Sequence, residues 1–230
     1  PHRGFETVTY LLDGRMRHED SAGNCGELNP GDVQWMTAGR GIIHCEEPHE
    51  EFLKTGGRTH GFQIWVNLPS SHKMMEPRYQ EVPSTESPIV EQDGVWARVI
   101  AGECMGITSS IDTKIPITLI HVKMKPESRL VQQLQADLNG MIYVFGGGIN
   151  LENEIKVKKS PIAFGIGAKQ GLQDGELALL SEGEEIVIES QEGAEFLILA
   201  GPELNEPIER YGPFVMNTKE EIHQAFLDYQ

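Results

Sequence analysis

PHRGFETVTYLL, residues 1–12, is the stretch whose reading decides the fold. From Phe5 onward the run is β-branched, aromatic and aliphatic, with no glycine or proline inside it, which favours an extended strand over a helix. Side chains alternate across a strand, so if the opening residues are extended too, His2, Gly4, Glu6 and Val8 share one face. A histidine and a carboxylate would then look into the same space.

Working outward, further strand-like runs follow at GDVQWMTA (31–38) and HGFQIWVNLP (60–69), with NPGD at 29–32 as the turn that launches the first of them. From Met75 to Gly94 the text becomes rich in proline, glutamate and serine, a linker signal. A second series comes next: VWARVIAG (95–102), IPITLIHVKM (115–124), NGMIYVFGGG (139–148), KSPIAFGIG (159–167), GELALLS (175–181), EEIVIES (184–190) and AEFLILAG (194–201). Short strands without intervening long helical periods predict an all-β protein of two modules, each a sandwich (jelly roll) or an antiparallel β-barrel, a first domain over 1–80 and a second over 81–230. One helix is predicted, from Asn217: Asn217 or Thr218 caps it, Glu220 and Glu221 sit in its first turn, and Ile222, Ala225 and Phe226 fall on one face. GGG at 146–148 lacks a following Lys-Ser/Thr and a helix pattern, so it reads as a hairpin turn rather than a phosphate loop.

The 230 residues carry a formal net charge of -16, which repels phosphate and argues against direct nucleic-acid binding. No apolar run approaches the roughly 20 residues a membrane helix needs. The three cysteines have no C-x-x-C spacing, which argues against a disulfide framework or a zinc-thiolate site and favours a reducing compartment. A cytoplasmic protein is expected, also nuclear if the source is eukaryotic. No hydrolase signature is present.

A second histidine–carboxylate pair occurs in GIIHCEE (41–47): His44 and Glu46 are two apart, with Cys45 pointing the other way. Two strands that each offer nitrogen and oxygen to one cavity would suit a divalent first-row metal. On spacing alone the alternative stays open, because H-x-E recurs by chance and a histidine at position 2 is more often a solvated terminal residue. His60 reads as structural or cavity-lining. His18, His49 and His72 lie in polar stretches and read as solvated. Between Val122 and Ile222 there is no histidine, so the second domain is expected to hold no metal. Arg3 could orient an anionic substrate or pair with Glu6, but a surface strand arginine is the plainer reading.

Five strings, PHRGFETVTYLL (1–12), NPGDVQWMTAGRGIIH (29–44), QIWVNLP (63–69), MEPRYQE (75–81) and GPFVMNT (212–218), together resemble the pirin family, two-domain members of the cupin superfamily. The resemblance spans essentially the whole chain. It implies a bicupin with a metal in the first barrel and none in the second. In pirins the metal is held by the two histidines of His-Pro-His-Arg-Gly-Phe-Glu and by the histidine and glutamate of Gly-Ile-x-His-x-Glu. Carried over residue by residue, the ligands are His2, His44 and Glu46, while the other histidine would immediately precede Pro1, so the chain is expected to start inside the motif. Glu6 occupies the glutamate position of the general cupin motif; pirins use the later one, which leaves Glu6 as a supporting residue. The resemblance further implies Fe(II), with another divalent first-row metal as the alternative, and quercetin 2,3-dioxygenase activity on a flavonol with dioxygen. Glu46 would be the catalytic base for the 3-hydroxyl proton. The other implied role is an iron-containing transcriptional co-regulator that contacts transcription factors through protein surfaces, and a metal-free structural cupin is a third. A monomer is expected.

Overall fold

The structure, a computed structural model, describes residues 1–152, 171–180 and 183–229. The chain forms two compact units, Pro1–Ser87 with Leu204–Gln230, and Pro88–Glu203.

The first unit begins with β1 (Phe5–Asp13), β2 (Met16–Asp20), β3 (Cys25–Leu28), β4 (Val33–Thr37), β5 (His44–Pro48), the short helix α1 (Glu50–Thr55), β6 (His60–Asn67) and β7 (Arg78–Val82). One antiparallel sheet has the order β6-β1-β4-β7 and another the order β3-β2-β5. β1 pairs on both sides, with Val8 opposite Trp35 on β4 and opposite Ile64 on β6, and Phe5 to Leu11 are buried without a break. A central strand covered on both faces reads as a near-continuous apolar run, which is why PHRGFETVTYLL is so legible. The NPGD turn forms as expected: Asp32 accepts from the Asn29 amide at 2.7 Å, and its other oxygen accepts from the Ser84 amide at 2.7 Å.

The β3-β2-β5 sheet has a different chemistry. Its outward residues are charged apart from Cys25 and Cys45, and nearby charges pair locally, Arg17 with Glu19 and Arg15 with Glu27 and Glu51, while His18 and Glu46 turn inward. Such exposed pairs contribute little stability and leave the outer face solvated.

The second unit runs β8 (Ile89–Gln92), β9 (Val95–Ala101), β10 (Glu103–Cys104), β11 (Ile107–Thr108), β12 (Thr118–Met124), β13 (Ser128–Gln133), β14 (Leu138–Leu151), β15 (Gly171–Gln173), β16 (Leu177–Leu179), β17 (Glu185–Ser190) and β18 (Ala194–Pro202). Its large sheet has the order β13-β17-β14-β18-β12-β9-β8, with β15 and β16 also on β14. Val99, Ile120, Val122, Ile142, Phe196 and Ile198 fill its core. The glycines at 146–148 are not a hairpin turn. They lie inside β14, where the register with β18 shifts between Val144 and Gly146. Gly147 has φ +64, and a Cβ there would sit 2.1 Å from the Gly193 carbonyl oxygen, so a bulge takes the place of the expected turn. The run expected as a linker supplies a strand to each unit, β7 to the first and β8 to the second. The strand expected at 159–167 lies outside the described residues.

The chain closes with β19 (Glu209–Tyr211), β20 (Phe214–Met216) and α2 (Lys219–Asp228). Thr218 caps α2 by accepting from the Glu221 amide at 3.2 Å, and the Glu221 carboxylate accepts from the Thr218 amide at 2.9 Å. Ile222 and Ala225 pack with Phe214 and Met216. Residues 204–230, expected in the second domain, lie against the first unit: Phe214, Met216 and the end of α2 close against residues 2–4. Among the described residues no helix is long and apolar enough to cross a membrane.

Candidate metal centre

Gly4 sets how the opening residues present themselves. Its φ is +88, and a Cβ at this position would lie 2.0 Å from the Val215 carbonyl oxygen, so no other residue fits. The left-handed turn interrupts the alternation assumed for the opening residues. His2 forms an isolated bridge with Ile42, its amide donating to the Ile42 carbonyl at 2.7 Å. Its ring lies against Phe5, Trp65 and His44, with centroids 5.0, 5.4 and 4.8 Å away. Glu6 is fully buried and accepts from Thr37 Oγ1 at 2.6 Å, one residue along the strand from Phe5 and so on its other face. His2 and Glu6 therefore do not share a face.

His44 and Glu46 are brought together as the spacing predicts, with Cys45 exposed on the opposite side. Antiparallel pairing sets His18 of β2 directly opposite Glu46 of β5. One ligand atom each of His18, His44 and Glu46 lies within 4.8 Å of the others. His18, read as solvated, is 0 % exposed. The signal available was its own strand: Arg17 and Glu19 flank it, and if both face water, alternation turns His18 inward. Its ring stacks on Tyr79 at 5.2 Å, with Nδ1 3.9 Å from Glu46 Oε1 and Nε2 3.7 Å from Asp20 Oδ2.

The cavity side chains around these groups are ordered by hydrogen bonds. Thr9 Oγ1 donates to Glu46 Oε1 at 2.8 Å, and Gln63 Nε2 donates to Oε2 at 2.5 Å. Gln34 Nε2 donates to the Tyr79 hydroxyl at 2.8 Å. Burial holds the His2 and His44 imidazoles down to about 4, so both are neutral near neutral pH, the form that binds metals. Burial pushes the Tyr79 phenol up.

Both His18 ring nitrogens and His44 Nδ1 are buried without a hydrogen-bond partner. Unpartnered buried donors and acceptors cost about 1–3 kcal/mol each, and here they converge beside a carboxylate. That donor set fits a divalent first-row cation: imidazole suits iron, nickel or zinc, and the carboxylate supplies charge.

The other histidines do different work. His49 caps α1, accepting from the Glu51 amide at 3.2 Å, and lies 3.2 Å from Glu27. His60 is partly buried at the start of β6, its Nδ1 3.0 Å from Arg58. His72 sits beside the Ser71 hydroxyl at 2.9 Å. The second unit does offer an imidazole, one residue before the histidine-free span: His121 on β12, buried, 2.9 Å from Glu195. Arg3 is not a surface arginine; it is buried, and its guanidinium pairs with Asp228 at 2.7 Å.

Comparison with known families gives two matches: the pirin model covers residues 1–66, and the model of the pirin C-terminal cupin domain covers residues 119–230. Human pirin is 42% identical over 233 residues, across 100% of this chain and 74% of that protein. The chain belongs to the pirin family. A tomato pirin-like protein is 41% identical, again across 100% of this chain and 74% of its own length. Among solved structures, a quercetin 2,3-dioxygenase from Acinetobacter baumannii superposes with a TM-score of 0.88 at 37% identity, covering 99% of this chain and 75% of that one. The pirin fold, two cupin domains with a short C-terminal helix, is thus the fold of this chain.

Proposed function

We propose that this pirin is a metal-dependent oxygenase of the quercetin 2,3-dioxygenase type, with its metal held by His2, His44 and Glu46. The observation that carries the metal site is the set of partnerless buried imidazole nitrogens of His18 and His44 next to Glu46. His18 is offered as an additional donor to the same space. Bound Fe(II), or another divalent first-row ion, would supply Lewis acidity and access to dioxygen chemistry. The similarity to a protein named quercetin 2,3-dioxygenase supports a flavonol as substrate class.

The chain's own residues then have definite tasks. Glu46, fixed by Thr9 and Gln63, is aimed to accept the 3-hydroxyl proton of a flavonol. Phe5, Trp65 and Tyr79 give aromatic walls beside the imidazoles, suited to a planar ring and to exclusion of water.

The test is metal analysis followed by flavonol turnover under air, read as loss of flavonol absorbance with release of carbon monoxide. The wild-type protein loaded with Fe(II) is expected to consume one dioxygen per flavonol, and His44→Ala to lose both metal and turnover. A His44→Ala protein with full iron content and full turnover would refute the site. The net charge of -16 also suits contact with the basic face of a partner protein, the co-regulator role. Iron binding without any flavonol turnover would favour that role.

A further inference from the structure

His2 is the second residue of the sequence, yet two of its hydrogen-bond partners, Pro213 and Tyr229, lie more than 200 residues on. His2 Nδ1 lies 3.2 Å from the Pro213 carbonyl oxygen. A carbonyl can only accept, so Nδ1 carries the proton and Nε2 keeps its lone pair free, the tautomer a metal ligand needs. The Val215 amide donates to the Arg3 carbonyl at 3.1 Å, and Lys73 Nζ donates both to the Gly4 carbonyl at 2.8 Å and to the Val215 carbonyl at 2.9 Å. The Tyr229 hydroxyl donates to the His2 carbonyl at 3.2 Å, and Asp228 takes the Arg3 guanidinium at 2.7 Å. Gly41 leaves room for that hydroxyl, since a Cβ there would be 2.4 Å from Tyr229 Oη.

We propose that the closing segment Pro213–Tyr229 is a positioning element of the metal centre, fixing the tautomer and place of His2 so that metal affinity depends on it. This rests on the metal-site reading above. A tail needed only for packing would be served by Phe214, Met216, Ile222 and Ala225, which supply the apolar contact. The polar ties go elsewhere. They reach the ring nitrogen of His2, the backbone carbonyls of residues 2 and 3 and the Arg3 guanidinium.

The experiment compares Co(II) binding, by chelator competition and by visible absorption, in the wild-type chain and three variants well below their melting temperatures. Asp228→Ala with Tyr229→Phe removes two ties to residues 2 and 3 while leaving the apolar contacts. It is expected to weaken Co(II) binding by about 10–100-fold, the range for loss of groups that orient a ligand, and to change the Co(II) absorption bands. Thr218→Ala removes the cap of α2 without touching residues 2–4, and should lower the melting temperature but keep wild-type affinity and bands. His44→Ala should lose Co(II) altogether. Wild-type affinity and bands in the double variant, with His44→Ala still unable to bind, would overturn the positioning role and leave the site standing. Equal weakening in Thr218→Ala would overturn it as well, since the effect would then be one of stability. Wild-type binding by His44→Ala would overturn the site itself, and the positioning role with it.

Discussion

His18 shows what one buried side chain can report. A ring enclosed on all sides, with neither nitrogen hydrogen-bonded and two carboxylates just beyond bonding distance, gains from a bound cation. His18→Ala is expected to weaken metal binding by about tenfold or more while His18→Gln, which retains donor and acceptor atoms, recovers part of it; titration with a chromogenic chelator measures both. Glu195 gives a second prediction at this scale. Its hydrogen bond from His121, with help from Lys123 at 3.0 Å, holds its carboxyl down to about 2, against an ordinary value of 4.5. The folded state favours the carboxylate, so this stabilisation is complete above about 4.5 and disappears as pH falls from there towards about 2. Urea unfolding across that window should show a steeper loss of stability in the wild type than in Glu195→Gln.

At the scale of elements, legibility followed apolar pattern. β1, β4, β6, β9, β12, β14, β17 and β18 each bury a recognisable apolar face and were visible as strands. β5 was visible by the spacing of His44 and Glu46, but β2 and β3 were not, because their outer residues are mostly charged and the inner residue of β2 is a histidine facing a polar cavity rather than a core. The site was half legible for the same reason: His44 and Glu46 stood out by spacing, whereas His18 sat in a strand that looked like a solvated loop. Single-residue conformations hid the rest, Gly4 inverting the face of His2 and the glycines of β14 making a bulge. The strands that were easy to see are the ones that carry stability. Phe196 on β18 is fully buried at the centre of the second unit's core, so Phe196→Ala is expected to cost about 3–5 kcal/mol in chemical denaturation.

On the scale of the molecule, the first unit is discontinuous: residues 1–87 are completed only by 204–230, while 88–203 form a unit of unbroken chain. Contacts as distant in sequence as His2 with Pro213 and Arg3 with Asp228 are slow to form, because a long loop must close before they yield anything. Synthesis runs the other way. Residues 1–87 are made before 88–203 and these before 204–230, so the first unit waits for its closing segment while the intervening unit has its whole sequence available sooner. The first unit, although its residues 1–87 are made before the second, is thus completed after it, and a nascent chain halted before Pro213 would carry His18, His44 and Glu46 without the backbone partner that orients His2.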